Sequence, residues 1–192
     1  MKSIFLLFTL LLPLASHALT PPAPAPQTSA APILAAKSYV LYDYTSNQVL
    51  VNQNGDARME PASLTKLMTA YLAFDALKHG TLELEQKLSV PAAAARNISG
   101  ESRMLLKAGQ SVTVNELLHG LIVQSGNDAA ITLAVNIAGS EAGFVELMNK
   151  EAKRLGMNNT HFANPVGLPA AQHYSSAYDL VLALSGAEAK GV

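Results

Sequence analysis

Apolar residues recur along this chain with two different periods, and the change from one to the other divides it. Tyr39-Val40-Leu41-Tyr42-Asp43-Tyr44 is a β-branched and aromatic run that Thr45-Ser46-Asn47 interrupts and Val49-Leu50-Val51 resumes. That is a β-hairpin pattern, with the turn expected at Thr45 to Gln48. From Pro61 the period becomes helical, with Leu64, Leu67, Met68, Tyr71 and Leu72 at i, i+3, i+4, i+7 and i+8. Pro61 suits a first helical turn and Gly80 a C-terminal cap. A second helix is expected from Val114 to Val123, with Val114, Leu117, Leu118, Leu121 and Ile122 aligned, and a third over Ala129 to Ile137, ending at Gly139. A fourth follows Ser140, carries Phe144, Leu147, Met148, Ala152 and Leu155, and stops at Gly156. Ser176, with Asp179 three residues on, resembles a capping box for a last helix. Few later strand candidates accompany the hairpin, and a hairpin alone makes no stable sheet.

The N-terminus carries a different signal. Met1-Lys2-Ser3 is a short basic start, Ile4 to Leu14 an apolar run broken by Thr9 and Pro13, and Ser16-His17-Ala18 offers small residues where a signal peptidase reads. The run falls well short of the roughly 20 residues that cross a bilayer. Residues 1–18 therefore read as a cleaved signal peptide, which implies export, to a bacterial periplasm. Residues 19–35, with Pro21, Pro22, Pro24, Pro26 and Pro32, read as an extended linker. The folded domain is expected over 36–192.

Composition removes several classes. Of 192 residues 49% are hydrophobic and 14% charged, enough for one domain with a real core and the opposite of a disordered chain. The net charge is −1 with no basic run, so neither nucleic acid nor an anionic lipid surface is indicated as a partner. There is no cysteine, which excludes disulfides and thiol chemistry, and the five histidines stand far apart, which argues against a metal site.

Two short motifs carry candidate chemistry. In Pro61-Ala62-Ser63-Leu64-Thr65-Lys66, Ser63 and Lys66 are three apart, so at a helix start they share a face. A serine hydroxyl needs a base, and a lysine becomes one when its pKa of roughly 10.4 is pulled down. Desolvation beside Leu67 and Met68 and the positive helix terminus would both do so, and unpaired N–H groups at that terminus could hold an oxyanion. The bland alternative is a capping serine and a solvated lysine. In Ser125-Gly126-Asn127, between two expected helices, Ser125 could present its hydroxyl to Lys66 and the leaving amine, and Asn127 could hold a substrate amide. The same three residues are also ordinary turn formers. The pairing of Ser-x-x-Lys with Ser-x-Asn, in this order and on these elements, is that of penicillin-binding proteins and serine β-lactamases.

Beyond the motifs, the chain resembles the low-molecular-weight penicillin-binding proteins that act as D-alanyl-D-alanine carboxypeptidases, serine peptidases of the S11 type. The likeness covers roughly Ala36 to Leu182. It includes Tyr42-Asp43-Tyr44, Pro61 to Thr69, Leu121 to Ala130, Asn159-Thr160-His161-Phe162, Asn164-Pro165-Val166-Gly167-Leu168 and Tyr174 to Leu180. It implies an α+β fold, a β-lactamase/transpeptidase-like domain whose helical subdomain here accompanies an incomplete antiparallel sheet. It also implies a reaction: Ser63 attacks the penultimate D-alanine carbonyl of a peptidoglycan stem peptide ending in D-Ala-D-Ala. Lys66 is then the base, Ser125 relays the proton, Asn127 binds substrate, and water cleaves the acyl-enzyme. β-Lactams act as inhibitors, and no metal or organic cofactor is required.

One departure qualifies this. No Lys-Thr-Gly or Lys-Ser-Gly occurs, and Lys190-Gly191 lacks the middle hydroxyl. By resemblance that motif lies on a later strand and binds the substrate carboxylate. The likeness fades after Asp179-Leu180, and Ser185 to Val192 reads as unrelated small and charged residues. The expectation is a chain truncated within the domain, with little carboxypeptidase activity by itself. It encodes no membrane attachment, whereas a full-length form could associate with the inner membrane. The other readings are a D,D-endopeptidase or serine β-lactamase relative, and a non-catalytic peptidoglycan-binding remnant.

Overall fold

In the computed structural model, which describes residues 33–96 and 100–188, the hairpin forms where the alternation placed it. Tyr39–Asp43 (β1) pairs antiparallel with Gln48–Gln53 (β2), with a bulge between Leu41 and Tyr42. Tyr44 to Asn47 makes the turn, one residue earlier than expected. The Asp43 carboxylate accepts from Thr45 N–H (2.9 Å) and Ser46 O–H (2.6 Å), and Asn47 takes a left-handed φ of 57°, which asparagine tolerates better than most residues.

Pro61 does not open the first α-helix. A 3₁₀ turn, Ala62–Thr65, intervenes, and α1 runs from Lys66 to Lys78. The single apolar stripe read for this helix is also corrected: Leu64 is 54% exposed and Leu67 only half-buried. Helix α1 is enclosed on two sides. Ala73 and Ala76 belong to one apolar cluster with Leu88, Val112, Leu117 and Leu133, whereas Met68 and Tyr71 belong to another with Phe144, Met148 and Phe162. A helix enclosed this way shows no clean amphipathic period.

Two short strands were missed. Lys87–Ser89 (β3) pairs antiparallel with Ser111–Thr113 (β4), and in that register Leu88 and Val112 are directly opposed, both buried. Three residues with one inward side chain each are too few to display a period of two. Helix α2 covers Val114–Val123 as expected. Its start is a capping box that the sequence reading overlooked: Glu116 N–H donates to Thr113 Oγ1 (3.2 Å), and Thr113 N–H to Glu116 Oε2 (2.9 Å). Helix α3 is Asn127–Ala138, closed by Gly139 at φ 77°, and α4 is Glu141–Arg154.

Helix α5, Ala177–Glu188, packs against α1 and β1 and runs into the stretch from Ser185 that reads as unrelated, of which 189–192 lie outside the described residues. Its proposed capping box is half-formed. Asp179 N–H donates to Ser176 Oγ (3.1 Å), but the Asp179 carboxylate accepts from Asn159 N–H and Thr160 O–H, both at 2.7 Å, tying α5 to the segment after α4. The signal peptide expected at 1–18 and nearly all of the linker expected at 19–35 lie outside the described residues.

Asp128, in the first turn of α3, ties the segment before β4 to the α2–α3 corner. Its carboxylate is fully buried, accepts from the N–H groups of Met104 (2.9 Å), Leu106 (3.0 Å) and Ala129 (3.0 Å), and lies 3.9 Å from the buried Arg103 guanidinium. Removing it takes a buried carboxylate from beside a buried guanidinium and orphans backbone donors, so Asp128→Ala should cost about 3–5 kcal/mol in denaturant-induced unfolding. A loss below about 1 kcal/mol would show that the corner holds without it.

Candidate active site

The nucleophile candidate owes its position to an unusual turn. Ala62 takes φ 47°, a left-handed conformation costly for alanine, and this leaves Ser63 exposed in the 3₁₀ turn, ahead of α1. The neighbouring chain holds the turn in place. Gly167 (φ 90°) lies so close that a Cβ there would stand 1.8 Å from the Ala62 carbonyl oxygen and 3.0 Å from Ser63 N. Only glycine fits that backbone contact.

The loop that carries Gly167 also holds Lys66. Lys66 is 5% exposed; its Nζ donates to the Val166 carbonyl at 2.9 Å and lies 3.3 Å from Ser63 Oγ. One turn along α1, Thr69 Oγ1 donates to the Pro165 carbonyl at 2.7 Å. Asn164 shapes the loop from within. Its Oδ1 accepts from the N–H groups of Val166 (3.2 Å), Gly167 (2.7 Å) and Leu168 (3.2 Å), while its Nδ2 donates to Leu168 O (2.8 Å). Two successive carbonyls are thereby aimed at α1.

Burial pulls the Lys66 amine from 10.5 down to about 8, against the opposing pull of the Glu101 carboxylate. Glu101 Oε2 also accepts from Asn127 Nδ2 at 3.0 Å, and Asn127 N–H donates to Ser102 O at 2.8 Å. Ser125 sits half-buried in the α2–α3 turn with φ 55°. The hydrogen-bond partners of Lys66 among the described residues are Ser63 and Val166, so the bond expected from Ser125 to Lys66 is not made here. A cleft of about 120 Å³ next to these groups is lined by Glu101, Arg103, Asn127, Asn164 and Val166. A larger cavity of about 620 Å³, among Tyr42, Leu67, Phe74, Ile122 and Leu184, is apolar and excludes Ser63 and Lys66. Neither is lined by Ser63 or Lys66, but the smaller one holds Glu101 and Asn127 and the Val166 of the Lys66 loop. Among the described residues no group of three or more His, Asp or Glu is placed to hold a metal ion.

Sequence reasoning names Ser63, Lys66, Ser125 and Asn127 as candidates. It noted Asn164-Pro165-Val166-Gly167-Leu168 only as a likeness and missed that this loop holds Lys66. The readable signal was Gly167 two residues after an Asn-Pro turn. Glu101 gave no signal, because a lone acidic residue has no pattern.

A serine beside a buried lysine, in an α+β fold, is the arrangement of the penicillin-binding, transpeptidase-like class, and solved structures agree. The fold matches D-alanyl-D-alanine carboxypeptidase DacD from Francisella tularensis (TM-score 0.77, 43% identity, 80% of this chain and 37% of that one). It also matches penicillin binding protein 5 from Haemophilus influenzae (TM-score 0.79, 40% identity, 82% and 46%). Among curated relatives, DacF of Bacillus subtilis is 45% identical over 77% of this chain and 37% of its own length, and DacC of Escherichia coli 44% over 82% and 40%. The profile of the D-alanyl-D-alanine carboxypeptidase family, peptidase S11, matches residues 25–190, and the chain belongs to that family. The match extends past Leu180, where the sequence reading lost the likeness, and begins inside the segment read as linker. The chain spans about two-fifths of the length of these curated relatives.

Gly167→Ala should displace the Ala62–Ser63 turn and lower the rate of covalent labelling at Ser63 by about a hundredfold, as a shift of about 1 Å between reacting groups does. Stopped-flow labelling with a fluorescent penicillin measures it. A rate within about threefold of wild type would show that the contact does not position the nucleophile.

Proposed function

We propose that this protein is a serine-type D-alanyl-D-alanine carboxypeptidase that acts through an acyl-enzyme on Ser63. The observation that carries the reading is the Lys66 amine, buried, pulled down to about 8 and 3.3 Å from Ser63 Oγ. A pKa near 8 leaves roughly a tenth of such amines neutral at pH 7, against about one in a few thousand at 10.5. In the neutral form one N–H still donates to the Val166 carbonyl, and the lone pair is free to accept the Ser63 proton. The separation is slightly long for a hydrogen bond, as is common before substrate arrives.

In the proposed reaction Ser63 Oγ bonds to the carbonyl carbon of the penultimate D-alanine while its proton passes to Lys66 Nζ. The C–N bond to the terminal D-alanine then breaks, and the departing amine takes a proton by way of Lys66 and Ser125. Asn127, steadied by Glu101, contacts the peptide backbone. Water then adds to the ester, Lys66 again taking a proton, and Ser63 is released. The relatives named as D-alanyl-D-alanine carboxypeptidases and the penicillin-binding protein support the substrate, a peptidoglycan stem peptide, and inhibition by β-lactams. Cell-wall substrate implies an exported protein, which the basic start and apolar run of residues 1–18 favour.

Mass spectrometry after penicillin treatment should place the adduct on the peptide containing Ser63, and Ser63→Ala should abolish it. Lys66→Arg, which keeps the charge but cannot give up its proton, should label at least about a hundredfold more slowly. An adduct elsewhere would remove Ser63 from the mechanism, and near-normal labelling of the arginine variant would remove the general base.

A further inference from the structure

The Ser63 turn and the loop that holds Lys66 are joined by one more side chain, from a third segment. His173 is 5% exposed and lies between them. Its Nδ1 faces the N–H of Ala163, at the entrance to the Asn164–Leu168 loop, at 2.9 Å. Its Nε2 lies 2.9 Å from Oγ1 of Thr65, a fully buried residue between Ser63 and Lys66. A backbone N–H can only donate, so Nδ1 must carry the lone pair, and Nε2 carries the hydrogen and donates to Thr65. The segment around His173 is fixed on both sides. Tyr174 exchanges backbone hydrogen bonds with His161 (2.9 and 3.0 Å), and Ser175 with Met59 (2.8 and 2.9 Å).

We infer that His173, as the neutral Nε2–H tautomer, is a positioning residue that sets the distance between the Ser63 turn and the Val166 carbonyl holding Lys66. It touches neither nucleophile nor base. It bonds one residue before Asn164 on the loop and the middle of Ser63-Leu64-Thr65-Lys66 on the other side, so its length fixes the gap that Ser63 and Lys66 must share. The inference rests on the acyl-enzyme reading above.

The clamp depends on pH with a definite sign. A protonated ring would set an N–H against the Ala163 N–H and lose that bond. Burial holds the ring below the ordinary histidine value of 6.5, nearby His161 pushes the same way, and Glu60 opposes them. Phe162 contributes an uncharged ring, its centroid 6.1 Å away. The stability this histidine contributes is therefore full above 6.5 and is lost as the pH falls from there through the lower folded value. Glutamine can take over both bonds, with Oε1 accepting from Ala163 and Nε2 donating to Thr65, and it does not titrate.

The test is the penicillin acylation rate against pH for wild type, His173→Ala and His173→Gln, with ¹⁵N spectra of the histidine rings. The alanine variant should lose about a hundredfold at neutral pH, and the glutamine variant should stay within about threefold of wild type. At acid pH the wild-type rate should fall more steeply than the glutamine variant, which keeps only the Lys66 titration. The spectra should show His173 protonated at Nε2 and titrating below 6.5. A glutamine variant as slow as alanine, an alanine variant as fast as wild type, or matching acid limbs would overturn the inference. If wild type, tested also in a form extended through the Lys-Thr-Gly motif, is not labelled at any pH, the acyl-enzyme reading fails. The spectra then decide the clamp alone: an Nδ1–H tautomer or an ordinary titration rejects it, and a neutral Nε2–H ring supports it.

Discussion

A lysine serves as a base beside a serine only if it is kept out of water without being left without a partner, and this structure meets both conditions with one backbone carbonyl. Val166 O accepts from Lys66 Nζ at 2.9 Å. A carbonyl stabilises the amine in either protonation state and adds no negative charge, so burial can lower the pKa where a paired carboxylate would raise it. The one nearby carboxylate whose pull on Lys66 is resolved, Glu101, raises the value without overcoming burial. Aspartate or glutamate at the position of the Val166 carbonyl would keep Lys66 a cation.

Much of the fold serves to bring that carbonyl to α1. Asn164 bends the loop, Thr69 and Gly167 fix it along and across the Ser63 turn, and His173 joins it to Thr65. Opposite, Asp128 holds the segment of Glu101 to Met104 against α3, where Asn127 begins. The left-handed Ala62 fits the same scheme, since a strained residue persists where its surroundings leave it no alternative.

Local patterns were read well from sequence. The hairpin, the bounds of α2 and the course of α4 follow from alternation and 3.6-residue periodicity, because each has one face that decides. Where two faces are buried the pattern blurs, which is why Leu64 falls in the helical period read from Pro61 although it lies exposed beside Ser63. Strands β3 and β4 are too short to carry a period. Ser63 and Lys66 were legible because three-residue spacing puts chemistry on one helical face. Val166 was not, since its contribution is a carbonyl that every residue possesses, brought to Lys66 from a hundred positions away. Glu101 and His173 were hidden for the same reason: their partners are close in space only.

The central claim is that burial against a neutral carbonyl leaves Lys66 a usable base. Direct titration of its amine, by ¹³Cε and ¹⁵Nζ chemical shifts in lysine-labelled protein with Lys66→Arg to assign the resonance, measures this without any substrate. The account predicts a midpoint near 8. A midpoint near the ordinary 10.5 would contradict it, because the amine beside Ser63 would then be a cation throughout the neutral range.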